Sequence, residues 1–512
     1  MSQPTSPIVS LTKSFGTPFR NVIATARTCY SSKGIITDAD VSEKHFYIAQ
    51  SIYKAGHHTT FQHAYFQFAI SNISRHAIWS FLHSHPFYNS EQVSQRYVEV
   101  KPGNFFIPPI SGEALDLYLD INNKLMDYYH QLNESLHDVT VKAYLDRYPA
   151  RKKDIKTIEK DVKKKTQEIA RYVLPVGTFA YLYHTISGIT LLRYWRYCQQ
   201  YDTPYETKIL VEAMIKLLLD EDPEYKQILQ EPIPIEETPE FEQLNSMFGG
   251  KRKTKEFIAE FDKSLDGKVS KLVSYSNDAE QAVANSVREM YGLTNSELSN
   301  EKALDLVLNP AENTIFGESL NLTTHSKLSK AMNHAHYTFR KKISHAADSQ
   351  DQRHRMTPGS RPVLASHLTD EPDFITPPIV ELDEKSHQLY KEAMDIAWDG
   401  IRKLKALGVS EEFANYLLPN AVSVRFSESG DLMALHHKHQ MRLCYNAQEE
   451  IWRASLDEAL QISEVHPNIG KYLQPPCSMR LQAKSRPICP EGDRFCGVRV
   501  WTLKREDYQR VI

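Results

Sequence analysis

Cysteine is scarce in this chain, with six residues in 512. So thin a supply excludes a disulfide scaffold and points to a reducing, cytoplasmic setting. An excess of one charge is missing as well. Lysine and arginine number 61 against 64 aspartate and glutamate, for a formal net charge of -3. There is no global basic field, so general nucleic-acid binding is not expected. No apolar run reaches the ~18 residues of a membrane span, and the opening "MSQPTSPIVSLTKSF" holds no apolar core of signal-peptide length. A Rossmann G-x-G-x-x-G is also wanting, which argues against the usual dinucleotide fold. What is present is ordinary for a globular protein: 41% hydrophobic and 10% aromatic residues, enough for large cores in about two to four domains.

The chain repeats itself. "EIARYVLP" from Glu168 and "EFANYLLP" from Glu412 share the pattern E-apolar-A-x-Y-apolar-L-P. A helical segment precedes each. The clearer one, "SHQLYKEAMDIAWDGIRKLKALGVS", carries Leu389, Ala393, Ile396, Ile401 and Leu404 at helical spacing, and its Gly408 suits a C-cap. A second helix is expected after each octet, in "LLRYWRYCQQ" and in "LMALHHKHQMRLCYNAQEEIWRAS". "ISRHAIWSF", with Arg75 and His76, and "DQRHRMTP", with Arg353, His354 and Arg355, precede their octets in the same order. These parallels predict an internal duplication. Prolines, a Gly-Gly pair and blocks of charge mark residues 231–257 as a linker with its break near Gly249. The expected organisation is one copy in residues 1–230, the linker, and a second copy in 258–512. The lysine-rich run "ARKKDIKTIEKDVKKKTQEI" reads as a solvated helix face. "VSEKHFYIAQSIYKAGHH" reads as a helix ending at Gly56, and "HAYFQFAISNI" and "HAHYTF" alternate as strands. The fold class is α+β, a helical layer on a small sheet in each half.

Why a near-neutral chain concentrates Arg353, His354 and Arg355 beside a Pro-Gly break, with Ser360 and Arg361 just behind, needs an answer. A solvated loop is the plain explanation for a lone R-H-R; a site for phosphates or an anionic ring is the other. The motifs around it resemble the flavin-dependent thymidylate synthase family, in a tandem form. That family carries R-H-R followed by a serine loop ending S-x-R-Y, an earlier H-G-H-x-x-x-F-x-H segment, a later A-R-x-x-L-P, and a helix of the form L-R-x-x-x-x-A-Q-x-E-I. The motifs are divided between the halves. The first has "AGHHTTFQH", "SEQVSQRY" and "EIARYVLP", and so keeps His57, Thr59, Ser94, Gln95, Arg96 and Arg171. Its Arg-His runs into Ala77, an insertion "LHSHPFYNS" follows, and Cys198 stands where the family's helix has its arginine. The second keeps Gln350, Arg353, His354 and Arg355, with Arg442, Gln448 and Glu450 in "MRLCYNAQEEI". Its serine segment shrinks to "PGSRP", and Asn415 replaces the octet arginine.

The resemblance implies reductive methylation of dUMP to dTMP, with methylenetetrahydrofolate as carbon donor, reduced FAD as hydride source and NADPH as reductant. It also implies two tandem copies of that family's fold, one composite site made by both, and a homodimer acting as a pseudo-tetramer. In that site Ser94, Gln95, Arg96 and Arg171 would bind the nucleotide, with Gln350 and Arg442 at its pyrimidine edge. Arg442, Arg353 and Gln350 would carry catalysis, while Arg353, His354, Arg355, His57 and Thr59 would hold FAD and folate. The missing Rossmann motif does not count against flavin, because this family binds FAD without it. A monophosphate suits bidentate guanidinium donors, and a fixed guanidinium beside the ring is worth roughly 3–4 kcal/mol to developing charge. Two alternatives stay open: a related flavoenzyme that transfers a one-carbon group to another pyrimidine nucleotide, and a non-catalytic nucleotide-binding scaffold.

The cysteines are unevenly placed. Cys444, Cys477, Cys489 and Cys496 fall near the end, beside turn residues. Four thiolates would make a closed structural zinc site; four free cysteines, or a redox or iron–sulfur role, are the other readings. Cys29 and Cys198 read as core residues.

Overall fold

A computed structural model describes residues 4–147, 155–200, 202–248 and 252–512. The break expected at Gly249 and the start of the lysine-rich run lie outside them. The fold is α+β. It gathers into two compact units from interleaved stretches of chain. Met1–Met126, Leu174–Arg252 and Ile396–Leu418 make the first; Asp127–Val173, Lys253–Asp395 and Pro419–Ile512 make the second. Each unit therefore takes its sheet from one half of the chain and a helix-and-turn segment from the other.

The first unit holds a four-stranded antiparallel sheet. β1 (Ile8–Ser14) pairs with β2 (Tyr65–Ser74), β2 with β4 (Phe179–Ser187), and β4 with β3 (Asn89–Gln92). Alternation decides which face is core. Phe66, Phe68 and Ile70 are buried, while Tyr65 and Tyr183 lie outward. The insertion "LHSHPFYNS" leads into β3, whose Asn89 lies opposite Thr185. Between Ile70 and Ile73 the register slips, with Asn72 at φ +55.

The second unit repeats β1, β2 and β4 as β5 (Ser270–Tyr275), β6 (His336–Ser344) and β7 (Ser423–Asp431). Here β6 and β7 pair without a slip, from His336 opposite Asp431 to Ser344 opposite Ser423.

Among the helices, Glu384–Ala406 follows the expected stripe and ends at Gly408, whose φ of +82 only glycine adopts freely. Its buried face centres on Ala393, Ala397, Trp398 and Leu404, and Leu389 and Ile396 lie at the margin. The helix expected before Gly56 spans Phe46–Lys54. Gly112–Arg147, 36 residues long, had no distinct signal in the sequence. The segment read as one helix over "LMALHHKHQMRLCYNAQEEIWRAS" is two, Leu432–Arg442 and Glu449–Val465. Gln448 interrupts it as an extended N-cap residue, its side-chain amide engaged by Arg171 and Gln350.

Candidate active site

Both units are built on the same buried anchor. In the second, Ser344 ends β6 and caps the helix His345–Asp351, its Oγ accepting from the Ala347 N–H at 3.0 Å. Glu450 accepts from the Ser344 N–H and Oγ–H, each at 2.6 Å, and from the Tyr172 hydroxyl. In the first, Ser74 ends β2 and caps the helix Arg75–His83. Glu206 accepts from the Ser74 N–H at 2.7 Å, its Oγ–H at 2.6 Å, and Tyr416 Oη at 2.8 Å. Tyr172 and Tyr416 are the shared tyrosines of the two octets. Each octet therefore serves the glutamate of the opposite half. Burial pushes the Glu206 carboxyl up to about 7, against the pull of its donors.

Beside the second anchor, polar side chains form a continuous chain. Arg171 is buried; its Nε donates to the Glu168 carbonyl at 3.2 Å and its Nη2 to Gln448 Oε1 at 3.1 Å. Gln350 donates to the same oxygen, and Gln448 Nε2 donates to the Tyr172 hydroxyl. Arg442 closes the far end, with Nη2 on the Gln350 carbonyl at 2.7 Å and Nε on His354 Nε2 at 2.8 Å. The backbone fixes the Arg171–Tyr172 turn: Asn420 Nδ2 donates to the Arg171 carbonyl and the Ala421 N–H to that of Tyr172. Arg171, Gln350 and Arg442, expected together, lie in one hydrogen-bonded chain.

The R-H-R segment follows the helix His345–Asp351. Arg353 and Arg355 are exposed and His354 is half-buried between them. Burial, then the charges of Arg442 and Lys438, hold the His354 imidazole well below its ordinary range. It is a neutral acceptor for Arg442, so the segment offers two cations and a neutral ring. Arg361, just behind, turns inward to Asp348 at 2.9 Å and lies over the Phe426 ring.

Beneath this segment lies a buried ionic cluster that sequence reading missed. Lys341 stands 3.2 Å from Asp351 and 2.7 Å from Glu458, and Lys438 stands 3.0 Å from Asp351. Both lysines also pair with Glu428, which accepts from Thr357 Oγ1 at 3.0 Å. Burial alone would raise the Asp351 carboxyl, but the two lysines override it and hold it well below its usual range. Lys341 falls in step with Tyr337, Phe339 and Ile343 on the core side of β6, which was the available signal.

The first unit retains the anchor, but the residues of the polar chain are replaced. Counted from the anchor and capping residues, Ser80 stands for Gln350, Pro204 for Gln448 and Cys198 for Arg442; Asn415 replaces Arg171 in the octet. The buried ions give way to an aromatic cluster, with Phe81 4.4 Å from Tyr194 between ring centroids and His184 stacked on Tyr194. The expected match of Arg75-His76 with Arg353-His354 fails. Arg75 opens its helix at the position of His345, and the counterparts of R-H-R are His83, Ser84 and His85.

The other expected site residues belong to the first unit. His57 and Thr59 are exposed around the turn after Gly56. Neighbouring His58 is the tethered one, its Nε2 2.9 Å from the Tyr53 carbonyl. Ser94 Oγ accepts from the Arg96 N–H at 3.3 Å, and its carbonyl accepts from Tyr97 and Val98. Gln95 is buried, and the Arg96 guanidinium lies 5.4 Å from the Tyr97 ring.

Cys444, Cys477, Cys489 and Cys496 line one small cavity and form no disulfide. Among the described residues, no three His, Cys, Asp or Glu side chains stand in a metal-ligand array. Cys198 is a core residue as expected; Cys29 is exposed. No described helix is long and apolar enough to cross a membrane.

Two sheets that share a three-strand antiparallel order, each with its Ser–Glu–Tyr anchor, define an α+β protein made of a duplicated unit. The family described as "Thymidylate synthase complementing protein" matches the chain twice, over residues 10–224 and 271–468. The flavin-dependent thymidylate synthase of Geobacter sulfurreducens is 29% identical over 230 residues, 44% of this chain and 92% of that protein. That of Saccharolobus solfataricus is 31% identical over 211 residues, 40% of this chain and 77% of that protein. A solved UMP/dUMP methylase, PolB from Streptomyces cacaoi bound with 5-Br dUMP, superposes with a TM-score of 0.32 at 18% identity, covering 44% of this chain and 96% of that one. That overlap is too loose to carry an argument. The chain belongs to the flavin-dependent thymidylate synthase family, in tandem form, and membership makes it an enzyme of the methyltransferase kind.

Proposed function

We propose that the chain converts dUMP to dTMP, using methylenetetrahydrofolate and reduced FAD, in one composite site to which both copies contribute. The copies are residues 1–230 and 258–512, joined by 231–257. The observation that carries this is the asymmetry between the units. Both keep the buried anchor, but only the second, among the described residues, strings Arg171, Gln448, Gln350 and Arg442 together. Arg171 comes from the first half and the others from the second.

In this reading Arg171 grips the nucleotide's phosphate, helped by Arg96, Ser94 and Gln95 from the serine loop. Gln350 has an amide able to exchange its Gln448 partner for the pyrimidine edge. Arg442, oriented by His354 and the Gln350 carbonyl, sets a fixed positive charge beside carbon 5, where electron density must rise. Arg353 and Arg355 are exposed donors suited to the pyrophosphate and anionic ring of FAD. His354 lies between them, and His57 and Thr59 complete the cofactor side. Reduced FAD, when bound, supplies the hydride. NADPH as its reductant, a homodimer and a cytoplasmic setting belong to the same proposal.

The test is purification followed by assay. The expected result is a yellow protein that makes dTMP from dUMP with folate and a reductant. A colourless protein that binds no FAD at micromolar concentration would contradict it. Product mass separates methylation of dUMP from one-carbon transfer to another pyrimidine.

A further inference from the structure

Four of the six cysteines have no part in that reading, yet they converge. Cys444 lies in the turn between the helices Leu432–Arg442 and Glu449–Val465, and Cys477 in the first turn of Pro476–Gln482. Cys489 and Cys496 flank a loop turned by Gly492 at φ +55. Three separate stretches of chain thus bring four thiols to the wall of one cavity, whose other walls are prolines and apolar side chains such as Phe495 and Val500. The cavity measures about 10 Å³. That is room for a single ion or water and too little for a cluster of several iron and sulfide atoms.

The tail around it is held by scattered contacts: Val500 and Tyr508 are buried, Arg505 Nη2 donates to Ser463 Oγ at 2.9 Å, and Arg510 Nη2 donates to the Ala447 carbonyl at 2.9 Å. From Ala483 onward it forms only short 3-10 turns and contributes nothing to the apolar cluster of its unit, which ends at Met479. A segment with so small an apolar core gains stability from a metal staple. The four thiols are not paired as disulfides.

We propose that Cys444, Cys477, Cys489 and Cys496 bind one structural zinc ion. Each thiol gives its proton to solvent as its sulfur bonds the ion, so no oxidation state changes. Four thiolates fill a tetrahedral shell and leave no open position for chemistry. Binding draws the sulfurs in to ~2.3 Å from the ion, which contracts the tail loop onto Cys444. That residue follows Arg442 by two positions and precedes Gln448 by four in the same turn. The ion therefore clamps the turn that carries two members of the candidate site.

The test is metal analysis of the purified full-length chain expressed with added zinc, followed by cobalt exchange. The expected result is about one zinc per chain, and a cobalt form with the intense visible bands of tetrahedral thiolate coordination. Cys489→Ser and Cys496→Ser should lower bound zinc at least tenfold, while Cys29→Ser retains it. Wild-type protein free of zinc and lacking the cobalt bands overturns the proposal without recourse to any variant. So does iron with sulfide in place of zinc, or full zinc retention in Cys489→Ser.

Discussion

Arg442 donates to the Gln350 carbonyl and to His354 Nε2, so truncating it removes the positive charge and releases both partners. Arg442→Ala should lower kcat/KM for dUMP by about 10²–10³-fold, the usual loss for one preorganised donor, with the thermal midpoint little changed because the side chain is not in the core. Steady-state kinetics beside a melting curve checks this; unchanged kcat/KM would remove Arg442 from the mechanism. His184 poses a different question. Burial holds its imidazole down to about 3, against an ordinary value near 6.5. The unfolded chain takes up that proton first as pH falls, so the stability His184 contributes is complete above pH ~6.5 and drains away toward pH 3. His184→Phe should spare roughly 2 kcal/mol of the loss between pH 6.5 and 4.5. Denaturant titrations at the two pH values check this, and an equal loss of unfolding free energy in wild type and variant would contradict it. At this scale the family resemblance pointed to Arg171, Gln350 and Arg442, which lie in one hydrogen-bonded chain, and to the R-H-R segment beside them. It did not disclose that His354 is neutral, since protonation depends on neighbours from another helix.

Strands β6 and β7 and the helices His345–Asp351, Leu432–Arg442 and Glu449–Val465 share the buried cluster of Lys341, Asp351, Glu428, Lys438 and Glu458. Through Asp351 and the Glu428–Thr357 bond, these elements hold the R-H-R segment from below. Lys341→Met leaves Asp351 and Glu458 short of a partner with no access to water. The expected cost is ~3–5 kcal/mol, seen as a lower denaturant midpoint; a loss within 1 kcal/mol would mean that the cluster is hydrated. The elements themselves were largely legible. Alternation marked β2 and β6, and the apolar stripe with Gly408 marked Glu384–Ala406. Errors came where tertiary partners outweigh local pattern. Gln448 breaks a helix because Arg171 and Gln350 hold its amide, and Lys341, in step with the core side of β6, is explained only by Asp351 and Glu458 beside it. The Arg75-His76 pairing went wrong because dipeptide identity was weighed above position in the strand–helix unit.

At the scale of the whole molecule, the duplication was visible in the two octets. The interleaving was not, because it depends on where Gly112–Arg147 and Glu384–Ala406 carry the chain, and helix lengths do not encode their destinations. The consequence is that Tyr172 serves Glu450 while Tyr416 serves Glu206, so neither half encloses its own anchor. One set of polar side chains could then be lost while the other stayed under selection, as the replacement of Arg171, Gln350, Gln448 and Arg442 by Asn415, Ser80, Pro204 and Cys198 suggests. The most direct measurement compares dTMP formation by Arg171→Ala with that by Asn415→Ala, the same octet position in the opposite copy. The composite site predicts a fall of about 10²-fold or more for the first, from lost charge-assisted contacts, and wild-type turnover for the second. Equal losses in both, or full activity in Arg171→Ala, would contradict it.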